Sequence, residues 1–152
     1  AVALRGARNH EDVIAFPGRI VKNGKDIATL APPCFGGSKH AANIALTVLR
    51  FDPDQRAAMN IKYTDAILKI CERLKFKMAS FSRADEPRQI KKREGSSLEW
   101  GTEKAILDCG FVPDIIYDKG GMGKEEMIRV IASDVETLVE KVLRIHRLHS
   151  AL

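Results

Sequence analysis

The sequence predicts an α/β domain in which helices cover a mixed sheet on both faces. Apolar residues recur at helical spacing in some segments and alternate in others, so helices and strands are interspersed along the 152 residues. Asn23-Gly24 is a strong hairpin signal, and the short connection over residues 118–125 leaves no room for a parallel crossover. Part of the sheet is therefore expected to be antiparallel.

The first quarter of the chain holds several short predicted elements. "NHEDVIAF" at 9–16 has the pattern of a short helix capped by Asn9. "RIVKNGKDIATL" at 19–30 is predicted to form the hairpin, and "APPCFGG" at 31–37 a loop. Ser38 is a suitable cap for the next helix, "KHAANIALTVLR".

The later elements follow from the same two periodicities. "RAAMNIKY" at 56–63 is predicted as a strand, and Thr64 as the cap of the helix "DAILKICERLK". The remaining predicted elements are a strand "FKMASFS" (76–82), a short helix after Pro87, a helix "LEWGTEKAILDC" (98–109), strands "PDIIYD" (113–118) and "EMIRVIA" (126–132), and a helix "SDVETLVEKVLRIHRL" (133–148) with Ser133 and Glu136 at capping-box spacing.

Composition narrows the class of protein. With 45% hydrophobic and 30% charged residues, the chain is expected to be one soluble domain over 1–152, and its charge of +5 favours anionic partners. Cys34, Cys71 and Cys109 lack zinc-ligand spacing, which predicts reduced thiols and a cytoplasmic location. No apolar run reaches the roughly 20 residues of a membrane span. Because the chain opens with Ala1, we expect a fragment of a longer protein.

The segment "FGGSKH" is a candidate phosphate site. Gly36 and Gly37 let the backbone approach a ligand, and Ser38 begins a helix whose free N–H groups attract anions. Lys39 and His40 lie beside them. The alternative is an ordinary capped helix start after a flexible loop.

Two strands carry polar residues where they end. Asn60 and Lys62 alternate onto one side of a strand, so that an amide and a cation share a face that could also be simply solvated. "SFSRADEPR" places Arg83 at a strand exit, followed by Glu86. Arginine suits bidentate contact with phosphate oxygens, although a surface charge run has the same pattern.

The glycine-rich loop "YDKGGMGKEEM" at 117–127 is not a Walker A loop, because Asp118 and Glu125 occupy the positions that need Gly and Ser or Thr. It could wrap a ligand closely at Gly120, with Lys124 for an anion and Asp118 for a metal or hydroxyl. A plain hairpin turn explains the glycines equally well.

The segment "EGSSLEWG" places Gly95 and Ser96 before a predicted helix. Trp100 is the only tryptophan, and a core position is more common for it than a ligand platform. Gly101 inside the helical pattern costs about 1 kcal/mol relative to Ala. A neighbour that approaches closely would explain the glycine.

Six segments together resemble the ThiN-type thiamine-phosphate synthase domain, in order and over nearly the whole chain. They are "EDVIAFPGRIVKNGK", "FGGSKHAANIAL", "RAAMNIKYT", "SFSRADEP", "EGSSLEWG" and "DIIYDKGGMGKEEMIRV". The resemblance implies a three-layer α/β/α fold of the class II aldolase kind, with a mixed and mostly antiparallel central sheet. Such domains occur fused behind a hydroxymethylpyrimidine-phosphate kinase, and also as sensors in thiamine-pathway regulators.

The resemblance also implies a reaction, in which hydroxymethylpyrimidine diphosphate and a thiazole phosphate give thiamine phosphate and pyrophosphate. Arg83 matches the family pattern, and so does Lys124. Lys62 stands where the pattern has arginine, which keeps the charge but loses the planar fork, and Glu126 replaces a common proline. The implied phosphate ligands are Arg83, Lys62, Lys124 and, for a second phosphate, Gly36 to His40.

Other site roles are expectations of the same kind. Asn60 and Asp118 would orient substrate or bind Mg²⁺ that accompanies pyrophosphate, although the metal ligands are unknown and no tightly held cofactor is expected. Glu86, Gly95, Ser96 and Gly120 are expected to line the substrate site.

Two functions stay open at this point. The completeness of the motifs favours the transferase, whereas Lys62 slightly favours a non-catalytic thiamine-phosphate sensor. Direct nucleic-acid binding is not expected, because the basic residues are scattered and balanced by 20 acids. A homodimer is a further expectation, since small α/β enzymes are often symmetric dimers.

Overall fold

A computed structural model describes residues 1–91 and 96–151. In that part of the chain, seven strands form one sheet and two form a separate hairpin. The strands are β1 (Val2–Ala3), β2 (Val13–Ala15), β3 (Ile20–Asn23), β4 (Asp26–Thr29), β5 (Cys34–Phe35), β6 (Ala57–Lys62), β7 (Met78–Ser80), β8 (Ile115–Asp118) and β9 (Met127–Ala132).

The sheet has the strand order β5-β2-β1-β6-β9-β8-β7. Every neighbouring pair is antiparallel except β7 and β8, which are parallel. The prediction of a mixed, mostly antiparallel sheet is confirmed. The short connection between β8 and β9 produces an antiparallel pair, as its length required.

Helices lie on both faces of the sheet, which confirms the three-layer prediction. Their bounds are α1 (Lys39–Phe51), α2 (Asp65–Arg73), α3 (Arg88–Lys91), α4 (Ser96–Cys109) and α5 (Val135–His149). The helices α1 and α4 share one core with residues of β6, β8 and β9, and the helices α2 and α5 share the other. None of these described helices is long and apolar enough to cross a membrane.

Alternation along β8 shows how the sheet serves both cores. Ile115 is buried with α2 and α5, and Ile116 is buried with α1 and α4. Burying such a side chain completely contributes about 1.5 to 3 kcal/mol. The next residue on the α1/α4 face of this strand is Asp118, whose side chain is fully buried. The apolar pattern is therefore broken where the strand ends.

Three of the four predicted helix caps, at Asn9, Ser38 and Thr64, are observed. The side chain of Ser38 accepts a hydrogen bond from the amide of Ala41, and Thr64 accepts one from Ile67. At α5 the cap is Asp134, not Ser133 as predicted, and Ser133 donates to the Asp134 carboxylate. A carboxylate is favoured there because the helix amino end carries partial positive charge.

The amino-terminal quarter differs most from the predictions. The expected helix at 9–16 is a single turn of 3₁₀ helix at His10–Asp12, capped by Asn9 and followed by β2. The expected loop at 31–37 contains β5, which pairs with β2. The predicted hairpin is confirmed, with Asn23 paired to Asp26, so the two central residues lie one position later than Asn23-Gly24.

Candidate functional site

The polar ends of β6, β8 and β9 meet on the sheet face that α1 and α4 cover. Asn60 lies directly opposite Arg129, while Lys62 and Asp118 both lie opposite Met127 on either side of β9. Directly paired residues project from the same face of a sheet. The predicted residues Asn60, Lys62 and Asp118 are therefore brought together, beside an arginine that was not among the predicted site residues.

Asp118 is the centre of this cluster. The Arg83 side chain donates two hydrogen bonds to it, from Nε to Oδ1 at 2.9 Å and from Nη2 to Oδ2 at 3.3 Å. Arg129 Nη1 lies 2.8 Å from Oδ2, and the Gly120 amide donates to Oδ1 at 2.9 Å. The side chains of Asp118 and Arg129 are 0% exposed and that of Arg83 is 8% exposed. Two buried guanidinium groups thus share one carboxylate.

The ring of Phe81 forms the apolar wall of the cluster. The Cζ atoms of Arg83 and Arg129 each lie 5.1 Å from the ring centroid, within cation–π range. Trp100 packs edge-on against the same ring, with centroids 5.9 Å apart. Trp100 belongs to the core around α4, as predicted. The aromatic pair keeps the two cations in a poorly hydrated environment.

Arg129 is the least satisfied group in the cluster. Its Nη1 is near enough to Asp118 for an ion pair, but the geometry is not that of a hydrogen bond. Among the described residues, none of its three nitrogens has a hydrogen-bond partner. Burial lowers the pKa of the guanidinium, Asp118 raises it and Arg83 lowers it, and the result is a pKa below the ordinary value.

A second ion pair adjoins the first. Lys124 Nζ donates to Glu86 Oε2 at 2.8 Å and to the Ser97 hydroxyl at 2.6 Å. Burial raises the pKa of Glu86, but hydrogen bonds from Lys124 and Ser97 and the charges of Lys124 and Arg83 outweigh it, so the pKa lies below its usual value. Glu86 follows Arg83 by one 3₁₀ turn, and its backbone amide donates to the Arg83 carbonyl at 3.4 Å. The two clusters form one site.

The glycine loop is both a tight turn and a wall of the site. Gly121 and Lys124 exchange backbone hydrogen bonds of 2.9 and 3.0 Å. Gly120 has φ of 68°, and a Cβ there would lie 2.6 Å from the carbonyl oxygen of Lys124. A Cβ on Gly121 would lie 3.2 Å from Cβ of Arg83. Glycine is required at 120 for the turn, and the turn lies against Arg83.

An open pocket of about 430 Å³ adjoins the cluster. Arg83, Asp118, Gly120 and Phe81 contribute to its lining, together with Ser80, Ser82, Asp85, Lys104, Asp108, Tyr117 and Lys119. Within the described residues, Lys62 and Lys124 are not part of this lining. Of the three predicted cations, Arg83 alone lines this pocket; Lys62 is two strands away from Asp118 in the sheet, and Lys124 pairs with Glu86.

The predicted turn at Gly36 to His40 lies elsewhere in the fold. It follows β5, which is at the opposite edge of the sheet from β7 and Arg83. A Cβ on Gly37 would lie 2.2 Å from the carbonyl oxygen of Ala15, and one on Gly36 would lie 2.9 Å from a Glu11 carboxylate oxygen. Close backbone packing explains Gly37, and the adjacent carboxylate disfavours an anion. A second phosphate at this turn stays a prediction.

The remaining predicted residues have mixed placements. Lys39 and His40 are exposed on the first turn of α1. Ser96 begins α4 and is half-buried, whereas its neighbour Ser97 makes the contact with Lys124. Gly95 lies outside the described residues.

Arg129 is the main residue that the sequence analysis missed. The signal was present in "MIRVIA", where one charged residue interrupts an otherwise apolar strand that is buried on both faces. A charge at such a position is rarely fully buried without a partner or a function.

The cysteines take no part in this site. Cys34, Cys71 and Cys109 are free thiols in the described structure. Burial raises the pKa of the Cys71 thiol to about 11, so it stays protonated and unreactive at neutral pH.

Fold and site together define a three-layer α/β domain with a buried cationic site at its strand ends. The chain belongs to the family described as thiamine-phosphate synthase ThiN, whose model it matches over residues 1–144. The bifunctional thiamine biosynthesis protein ThiDN of Methanocaldococcus jannaschii is 41% identical over 153 residues, which cover 100% of this chain and 35% of that protein. The chain thus spans about a third of that relative.

Two further relatives agree with this assignment. The thiamine-phosphate synthase ThiN of Methanothermobacter thermautotrophicus is 34% identical over 142 residues, covering 93% of this chain and 75% of that protein. A crystal structure of the C-terminal domain of phosphomethylpyrimidine kinase superposes with a TM-score of 0.87 at 38% identity, covering 95% of this chain and 82% of that one. The fold is therefore shared with a solved relative.

Proposed function

We propose that this chain is a thiamine-phosphate synthase domain. It would join hydroxymethylpyrimidine diphosphate to a thiazole phosphate and release pyrophosphate. The observation that carries the proposal is the contact of Lys124 with Glu86, one 3₁₀ turn after the buried Arg83, in a chain that belongs to this family. Cations from two distant segments thus lie near each other, which supports a site for a charged leaving group.

The proposed reaction demands stabilisation of a leaving group. The bond between the pyrimidine methylene carbon and the diphosphate oxygen breaks, and its electron pair leaves with pyrophosphate. The thiazole nitrogen then supplies the pair for the new carbon–nitrogen bond. Fixed cations that face the departing oxygens stabilise the developing charge without reorganising. Arg83, Lys124 and Lys62 are assigned this role.

The surroundings of Arg83 strengthen its effect. Asp118 fixes the guanidinium through two hydrogen bonds, so its three other N–H donors keep a set orientation. The ring of Phe81 excludes water from one side of the pair. Charge interactions are stronger in such a site than in water, and a reactive pyrimidine-methyl cation is protected from hydrolysis.

Mg²⁺ is proposed to enter with the diphosphate. The described residues contain no group of three or more His, Cys, Asp or Glu side chains suited to holding a metal. Both oxygens of Asp118 are engaged by arginines, while Glu86 Oε1 is buried without a hydrogen-bond partner. This donor set fits an ion bound mainly by substrate phosphates and water, with Glu86 or the pocket-lining Asp85 supplying a carboxylate oxygen. Bound there, the ion would neutralise diphosphate charge.

The transferase is favoured over the sensor because the two curated relatives carry synthase or biosynthesis names. Incubation with both substrates and Mg²⁺ should yield thiamine phosphate and pyrophosphate in equal amounts. Arg83→Ala should abolish pyrophosphate release in a coupled assay, while Arg5→Ala, which removes an arginine that is 75% exposed, should not. Near wild-type turnover by Arg83→Ala would remove that residue from the site. Tight binding of thiamine phosphate without turnover would favour the sensor.

The association state is also a proposal. We place the domain in a longer chain behind a kinase, because the chain matches 35% of a bifunctional relative and shares its fold with the C-terminal domain of a phosphomethylpyrimidine kinase. A homodimer is supported by Val135, Val139 and Leu143, which form an apolar stripe on α5 and are each more than 40% exposed. Light scattering should give twice the chain mass of 16.9 kDa. A monomer at micromolar concentration would contradict this.

A further inference from the structure

Arg129 is the buried charged group to which the proposed function assigns no role. It lies in the middle of β9, opposite Asn60 on one neighbouring strand and Ile116 on the other. Its side chain is 0% exposed, and within the described chain its nitrogens make an ion pair with Asp118 but no hydrogen bond. A guanidinium has five N–H donors, and the ion pair with Asp118 is made through Nη1 alone.

Such an arrangement is costly for the fold alone. Buried donors that make no hydrogen bond lose their hydration, and the Asp118 ion pair and the Phe81 ring offset only part of that loss. The adjacent residues of β9 are apolar, and an aliphatic side chain would suit this sheet position better. Local conflicts of this kind concentrate at functional sites, because a ligand resolves them.

The charge balance indicates which ligand would resolve the conflict. Arg83 and Arg129 bring two positive charges to the single negative charge of Asp118, and Lys124 and Glu86 cancel each other. One net positive charge therefore remains, next to guanidinium donors that match the oxygens of a phosphoryl group.

A route to Arg129 is also present. Asp118 and Phe81 both line the pocket of about 430 Å³ and both contact Arg129, which is not part of the lining among the described residues. The guanidinium thus lies one side chain behind the pocket wall. A small shift of the Asp118 carboxylate would open it to an anion in the pocket.

We infer that Arg129 and Arg83 together bind one phosphoryl group, and that Asp118 holds both guanidiniums in position as a temporary counterion. The inference rests on the proposed function only for the identity of the natural ligand. That ligand is either the diphosphate of the pyrimidine or the monophosphate of the thiazole, which share the same chemistry.

The test measures binding without turnover. Inorganic pyrophosphate and inorganic phosphate are titrated calorimetrically into the wild type, Arg129→Met and the matched control Arg5→Met at constant ionic strength. Arg129→Met would remove two charge-assisted hydrogen bonds to the phosphoryl oxygens, so this variant should bind the preferred anion about 100-fold more weakly. Arg5→Met, with an exposed arginine near Asp54, should bind as the wild type does. Tighter binding of pyrophosphate assigns the diphosphate, and tighter binding of phosphate assigns the thiazole phosphate.

A second variant keeps the test decisive if Arg129→Met does not fold. Asp118→Asn leaves both guanidiniums without a counterion, so its melting temperature should rise more with added pyrophosphate or phosphate than that of the wild type. Equal affinity of folded Arg129→Met and Arg5→Met would overturn the inference. So would an Asp118→Asn variant whose melting temperature responds to neither anion. Both comparisons measure anion binding and not turnover, so their result does not depend on whether the domain has synthase activity.

Discussion

Gly101 in α4 lies directly against the ring of Phe81, and a Cβ on the glycine would be 2.3 Å from two ring carbons. The sequence analysis proposed that a close neighbour explains this helical glycine, and the contact confirms it. Both buried arginines stack on the Phe81 ring. Because Gly101 has no side chain, the ring can lie against α4, and this fixes the position of the cationic site.

Gly101→Ala should therefore destabilise the protein. Overpacking of a core costs about 1 to 3 kcal/mol or more, whereas the helix gains about 1 kcal/mol from alanine. We expect the difference to be a fall of up to about 2 kcal/mol in the free energy of unfolding, measured by urea denaturation with Trp100 fluorescence. The double variant Gly101→Ala with Phe81→Leu should lose less than the sum of the single variants. Additive losses would show that the ring is not the obstacle.

Removal of Lys124 should leave Glu86 as an unpaired buried charge. The Glu86 side chain is 1% exposed and that of Lys124 is 34% exposed, so the loss is reduced by solvent at the lysine. We expect Lys124→Met to lower the unfolding free energy by about 1 to 3 kcal/mol. The double variant with Glu86→Gln should recover most of this in the same denaturation experiment. If the double variant is as unstable as Lys124→Met, the lost stability came from the Lys124–Ser97 contact and not from the unpaired charge of Glu86.

Lys62→Arg tests the departure from the family pattern. Lys62 is exposed, and its ammonium lacks the planar fork that suits a phosphate group. The arginine variant should raise kcat/KM for the synthase reaction about threefold to tenfold, while Lys62→Met should lower it about tenfold through loss of a charged hydrogen bond. Lys69→Arg on the exposed side of α2 is the matched control. Identical rates for all three variants would place Lys62 outside the site.

Asp134 should govern part of the acid unfolding of the domain. A hydrogen bond from Ser133, followed by those from Thr137, lowers the pKa of the Asp134 carboxyl from 3.8 to about 2. Since the folded pKa is the lower one, this stabilisation is complete above about pH 4 and is lost as the pH falls towards 2. Urea denaturation across that range should show a shallower pH dependence for Asp134→Asn than for the wild type. Parallel curves would contradict the assignment.

Features that depend on neighbours a few residues apart could be predicted from the sequence. The caps at Ser38 and Thr64, the hairpin over 19–30 and the long helices all follow from local hydrogen bonds and side-chain periodicity. The α/β class and the family resemblance also came from the sequence, since the motifs keep their order along nearly the whole chain.

Only the tertiary structure decided the short strands and the centre of the site. The strands β2 and β5 have two or three residues each, too few for a periodic signal, and exist because distant partners pair with them. The role of Arg129 could not be predicted from the sequence, because it depends on contacts with Asp118 and Phe81, which belong to other segments of the chain. The energy of a buried charge is set by whatever surrounds it in space, and that is a property of the folded chain as a whole.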